Sequence, residues 1–178
     1  RVQANAFAQS MGHALKRLYP REQLGKELSK HTAFFNTEPN VGCVIHGIVL
    51  EMEQRRASGE NVSAEEISNI KSGLMGAIAG AGDPITQGII TPVLMAVGID
   101  IAGGGQLINS GSVWGPLFSF VAVKAVMLGI AWSSWIAGYR RGNEAVLSLL
   151  TGNLAGRLTG AAGILGCMVL GAMVASLI

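Results

Sequence analysis

The stretch Gly73-Leu74-Met75-Gly76-Ala77-Ile78-Ala79-Gly80-Ala81-Gly82-Asp83-Pro84-Ile85-Thr86-Gln87-Gly88-Ile89-Ile90-Thr91-Pro92-Val93-Leu94-Met95-Ala96-Val97-Gly98-Ile99 decides the fold of this chain, with Asp100-Ile101-Ala102 and Gly103-Gly104-Gly105 closing it. It is apolar enough to enter a bilayer, yet its middle carries an acid, two prolines, Thr86 and Gln87. Proline removes a backbone donor and pushes the residue before it out of the α region. The spacing therefore predicts that a helix rising from Gly73 stops near Gly80 to Gly82 and that a second one starts at Pro84. Irregular backbone at membrane depth persists only where protein buries it or where it lines a watery cavity. The stretch reads as a re-entrant or broken-helix hairpin of the kind that holds polar solutes near the bilayer midplane.

Composition places the rest around it. Hydrophobic residues are 49% of the chain and charged ones 13%, about half the charge of an ordinary soluble domain. The mean hydropathy is +0.43. Charge crowds residues 1–71, whereas residues 72–178 hold few charges, notably Asp83, Asp100, Lys124, Arg140, Arg141, Glu144 and Arg157. The fold class is thus an all-α membrane protein with amphipathic N-terminal helices over 1–37, a helix pair and re-entrant hairpin core over 38–112, and transmembrane helices over 113–178. A net charge of +2 without a basic patch argues against nucleic acid. Glycine, at 25 residues, suits close helix packing in lipid.

Along the chain, Phe7, Met11, Leu15 and Leu18 recur at helical spacing, and a more polar helix follows over Arg21 to Phe35. Both read as a layer packing on the embedded part. Asn36 or Thr37 can cap a helix running from Glu38 to about Arg56, and Asn36 is also placed to face a solute. That helix carries Val41, Val44, Ile45, Ile48 and Met52 on one stripe, with His46 beside it as a packing imidazole. Ser63-Ala64-Glu65-Glu66 has the pattern of a capping box launching the next helix. The glycines around Asp83 are no nucleotide loop, since no strand precedes them and no lysine follows.

Asp83 would cap a helix starting at Pro84, a role compatible with contacting a solute. Val113 to Gly138 is long enough to span a bilayer, and its one charge, Lys124, must face protein, snorkel or pair with a carboxylate. Trp132 and Trp135 suggest an interfacial belt, and Tyr139-Arg140-Arg141 a cytoplasmic anchor. His13, His31 and His46 have no metal-ligand spacing, and Cys43 and Cys167 read as free thiols, so neither a metal nor a cofactor is expected. The arginine start and the apolar finish suggest a chain cut short at both ends.

Several blocks resemble the IID membrane subunit of the mannose-type (mannose/fructose/sorbose) sugar phosphotransferase systems of bacteria. They are Phe34-Phe35-Asn36-Thr37-x-Pro39, Met52-Glu53-Gln54, Ile70-Lys71-x-Gly73-Leu74-Met75-Gly76, Gly80-x-Gly82-Asp83-Pro84-Ile85, Gly115-Pro116-Leu117, Gly138-Tyr139-Arg140-x-Gly142 and Ala162-Gly163-Ile164-Leu165-Gly166. The resemblance implies a multi-pass protein of the bacterial cytoplasmic (inner) membrane that pairs with a IIC subunit, with the pairs assembling as trimers. Together they would present a sugar to a phosphohistidine on a separate IIB subunit, itself charged by IIA. No histidine of this chain matches a phosphorylation motif, which leaves it without a catalytic group of its own.

Where family members carry a Phe-Trp pair after the Gly-x-Gly-Asp turn, this chain has Thr86-Gln87; where they carry an arginine before the later proline, it has Thr91. The expected sugar contacts are Asn36, Asp83, Thr86 and Gln87, with Glu53 a further one. The more hydrogen-bonding turn makes amino sugars and other hexoses as reasonable as mannose. A non-transporting membrane scaffold or receptor subunit is the alternative reading.

Overall fold

The computed structural model describes residues 2–103 and 112–151, together with the single positions Gly160, Ile164, Cys167, Met168 and Gly171. Among the described residues the regular structure is all helical, with no strand. The helices are α1 (Val2–Leu18), α2 (Arg21–Lys30), α3 (Cys43–Ala57), α4 (Ala64–Ile85), a π-helical segment (Thr86–Ile90), α5 (Thr91–Ile101), α6 (Trp114–Arg141) and α7 (Asn143–Thr151). Two uninterrupted helical stretches, Ala64–Ile101 and Trp114–Arg141, are long and apolar enough to cross a membrane. The final segment, Ala161 to Ile178, lies mostly outside the described residues, as does the polar loop expected after the glycine run.

Packing divides the chain into two compact units, one formed by residues 1–80 with 130–151 and the other containing 81–129. This grouping cuts across the division by hydropathy, because the N-terminal amphipathic helices share one core with the helices that follow. In the first unit Phe7, Met11 and Leu15 of α1 bury against Val44, Ile45, Ile48, Val49 and Met52 of α3. Each such side chain contributes roughly 1.5 to 3 kcal/mol by leaving water. Gly47 of α3 and Gly138 of α6 let two backbones touch: a Cβ on Gly47 would strike the Trp135 carbonyl, and one on Gly138 the Val44 carbonyl. Only glycine allows that approach.

The helix expected from Glu38 begins five residues later, at Cys43, and neither Asn36 nor Thr37 caps it; the residue before it is Gly42. Glu38 takes over instead. Its buried carboxylate accepts hydrogen bonds from the Val41 N–H and, at 2.7 Å, from Asn40 Nδ2, which holds the Pro39–Gly42 turns in place. The second amphipathic helix ends at Lys30, short of Phe35. At Ser63 the capping reading holds, since its Oγ accepts from the Glu66 N–H at 3.0 Å.

In the second unit α5 and α6 run antiparallel, with Gly98 against Gly115 and Ser119. Ser119 Oγ donates to the Gly115 carbonyl at 3.1 Å and lies 3.4 Å from that of Leu94.

The expected break at Gly80 to Gly82 is absent. α4 continues through Pro84 to Ile85, passes into the π-helical segment and goes on as α5. Each proline follows a glycine by four residues, Gly80 before Pro84 and Gly88 before Pro92. The ring of a helical proline crowds the carbonyl four residues back, and glycine yields there most easily. Threonines satisfy the backbone as well: Thr86 Oγ1 donates to the Gly82 carbonyl at 3.0 Å, and Thr91 Oγ1 to the Thr86 carbonyl at 2.8 Å. Hydroxyls and a local π turn are how a spanning helix absorbs proline without stopping.

Candidate functional site: a polar pair on a spanning helix

Asp83 and Gln87 lie one turn apart on the exposed face of that helix, and Gln87 Nε2 donates to Asp83 Oδ1 at 3.2 Å. The helix carries Asp83 in its interior, so the carboxylate does not serve as the expected cap. Both side chains carry a further acceptor oxygen, a chemistry that suits hydroxyl donors. Thr86, between them in sequence, is fully buried with its hydroxyl already given to Gly82. It shapes the π segment that carries Gln87.

In the first unit Asn36 is exposed in the loop before α3, beside the exposed Phe34. The neighbouring Thr37 is pinned, its N–H donating to Gln3 Oε1 at 2.8 Å and its hydroxyl to the Met75 carbonyl at 2.9 Å. Glu53 is only 1% exposed. It accepts from the Tyr19 hydroxyl at 2.6 Å, lies 3.2 Å from His31 Nε2, and has Arg56 within 3.8 Å. Burial alone would raise its pKa, but His31, Tyr19 and Arg56 outweigh that and hold the carboxyl below its usual range. Burial and the bond to Glu53 push the Tyr19 phenol up, so it stays protonated as the donor.

Sequence reasoning missed the extent of this network. Glu27 bridges Lys30 and Arg56 at 2.6 and 2.7 Å, and those two cations overcome burial to keep its carboxyl ionised. Lys71 donates to the His31 carbonyl at 2.9 Å and sits 4.4 Å over the Phe7 ring. A lysine inside an otherwise apolar helix face was the one available signal. His46 packs against Phe7 and Phe35 as the stripe suggested, with its Nδ1 left without a partner. A cleft of about 320 Å³ opens nearby, lined by Glu51, Arg55, Glu66, Tyr139, Arg140 and Arg141 among others. The structure thus joins Asp83, Thr86 and Gln87 in one helical segment and Glu53 to the buried network, with Asn36 on an exposed loop.

Two helical stretches long and apolar enough to cross a membrane, one of them with a π segment between Pro84 and Pro92, make this an all-α membrane protein. The profile of the mannose/fructose/sorbose family IID component of the phosphotransferase system matches residues 1–178, and the chain belongs to that family. It is 40% identical over 176 residues to the mannose-specific EIID component of Escherichia coli K12, covering 98% of this chain and 60% of that protein. With the fructose permease IID component of Bacillus subtilis it shares 39% identity, over 98% of this chain and 61% of that one. A cryo-EM structure of the mannose transporter ManYZ in complex with microcin E492 contains a chain of similar fold, with a TM-score of 0.71 at 40% identity over 97% of this chain and 61% of its own. The chain therefore spans about three fifths of the length of these relatives.

Proposed function

We propose that the chain is the membrane translocation subunit (IID) of a phosphoenolpyruvate-dependent sugar phosphotransferase system, multi-pass in the bacterial cytoplasmic membrane. It pairs with IIC, the pairs assemble as trimers, and together they bind a hexose or amino sugar that the IIB subunit, charged by IIA, phosphorylates. The family match along the whole chain carries this reading. The named relatives include a mannose-specific component and a fructose permease, which is consistent with a hexose-sized solute.

Within the subunit, Asp83 and Gln87 accept hydrogen bonds from sugar hydroxyls, and the amide of Asn36 adds a donor and an acceptor. Thr86 and Glu53, buried and already engaged, act from behind: Thr86 by shaping the π segment, Glu53 by holding the first unit together. A site that hydrogen-bonds hydroxyls discriminates strongly, because an analogue lacking one leaves a polar group unpaired.

Phosphorylation-coupled uptake over a panel of sugars, with the full-length protein and its IIC, IIB and IIA partners, tests the assignment. Asp83→Asn is expected to lower uptake about tenfold or more and Gln87→Ala about threefold to tenfold while IIC still co-purifies, since the first removes the charge from an acceptor and the second removes a neutral hydrogen-bonding amide. Loss of co-purification instead would move the pair to the scaffold role. Appearance of free, unphosphorylated sugar inside the cell would refute group translocation.

A further inference from the structure

Lys124 is the one charged residue of α6 between Trp114 and Tyr139. It lies on the stripe Leu117, Val121, Lys124 and Leu128, spaced four, three and four, whose three apolar members are 49%, 56% and 69% exposed. At 1.5 Å per residue Lys124 is about 15 Å along the helix from Trp114 and about 12 Å from Trp132. Its four-carbon stem reaches about 6 Å, so the ammonium cannot snorkel to either aromatic end. Among the described residues no carboxylate pairs with it. A lone charge at that depth is costly and calls for a counter-ion in the same layer.

We propose that Lys124 anchors an interface with a partner membrane subunit, whose apolar helix lies along the Leu117–Leu128 stripe and presents one Asp or Glu carboxylate at its level. A neutral sugar cannot balance the charge, and lipid phosphates sit at the two ends the side chain fails to reach. A second copy in the same orientation also fails. Gly98 packs on Gly115, so Asp100 lies at the Trp114 end of α6, roughly 16 Å of helix from Lys124, and Asp83 overshoots its level by about 9 Å. Beside Lys124, Ala125 and Gly129 are exposed, and a Cβ on Gly129 would meet open space, so a helix can approach closely there. Naming that partner as IIC rests on the function proposed above.

The test is retention of IIC by the tagged full-length protein, co-expressed and purified in mild detergent. Lys124→Met, which keeps the bulk and removes the charge, and Lys124→Glu should each retain at least tenfold less IIC, while Lys124→Arg retains it as the wild type does. Lys124→Glu should recover when one Asp or Glu in a membrane helix of IIC is changed to Lys. An unpaired lysine would behave oppositely, with Lys124→Met holding IIC as well as wild type or better, and that result overturns the proposal. So does a loss that no reversal in IIC repairs, or one repaired by Asp83→Lys or Asp100→Lys, which would place the contact between copies. Failure of the wild-type protein itself to retain IIC would refute the pairing, and is told apart by that control.

Discussion

The two units solve the problem of apolar surface in opposite ways. The first folds as a water-soluble helical domain does, burying Phe7, Leu15, Ile45, Ile48 and Val49 almost completely and pairing its interior charges through Glu27, Lys30, Arg56 and Glu53. The second keeps almost none of its apolar side chains to itself: Met95, Ile99, Ile101, Leu117, Phe120, Val121 and Leu128 all lie exposed, and Ala102 is its one buried apolar residue among those described. A high overall hydropathy therefore conceals two different environments. Apolar residues in the first unit contribute to its own folding, and those in the second await lipid or another protein chain.

The sharpest way to break this contrast is through the buried charges of the first unit. Glu53→Ala strips the Tyr19 hydroxyl and His31 of their acceptor inside the core, and losing one member of a buried charged pair costs about 3 to 5 kcal/mol. Thermal unfolding of the purified protein in detergent should show a drop of many degrees or no folded protein at all. A variant that melts as the wild type does would mean that this interior is wetter and looser than a soluble core. Next in size is a matched pair of truncations. Ile48→Ala, at 1% exposure, should cost about 2 to 5 kcal/mol by cavity formation. Leu128→Ala, at 69% exposure, should cost under about 0.5 kcal/mol in the same detergent. Equal losses at the two sites would erase the distinction between the units.

The first unit was the more legible of the two in sequence. The stripe Phe7, Met11, Leu15 read as a face packing on the rest of the protein and the stripe Val44, Ile45, Ile48, Met52 as one apolar face, because a buried helix face imposes a period that a water-facing one does not, and both proved to be core. Charged contacts between distant segments, such as Glu27 with Arg56 or Lys71 with the His31 carbonyl, have no periodic trace and were not anticipated. In the second unit proline chemistry misled in a specific way. Pro84 and Pro92 carry the penalties of any helical proline, but Gly80 and Gly88 relieve the crowding, and Thr86 and Thr91 supply hydroxyl donors. The rule of helix arrest holds for a proline alone and fails where a glycine four residues earlier and nearby threonine hydroxyls accommodate it. The family motifs were legible throughout. Among the expected sugar contacts, Asp83 and Gln87 came out paired on an exposed face, while Glu53, part of the Met52-Glu53-Gln54 block, turned out buried in the core of the first unit.

The smallest expected effect concerns His46, and it sharpens the contrast by asking how dry the first unit is. Burial, aided by the positive charge of Lys71 and opposed by the Gly42 backbone, pushes its imidazole down to about 4 from the ordinary 6.5. Because the folded-state pKa lies below the unfolded one, the unfolded chain takes up the proton first as pH falls. Stability is therefore full above about pH 6.5 and declines between there and pH 4, by about 1 kcal/mol from pH 7 to pH 5.5. Glu27 and Glu53 are also held low, so their contributions fade only further down, as pH falls below the ordinary carboxylate range. His46→Leu removes a buried nitrogen that has no partner and keeps the contact with Phe7 and Phe35. The variant should melt at or above the wild-type temperature at pH 7 and lose the decline between pH 6.5 and 5 while keeping the one below. An unchanged slope in that upper window would show that the imidazole meets water and that the core around Phe7 is open to solvent.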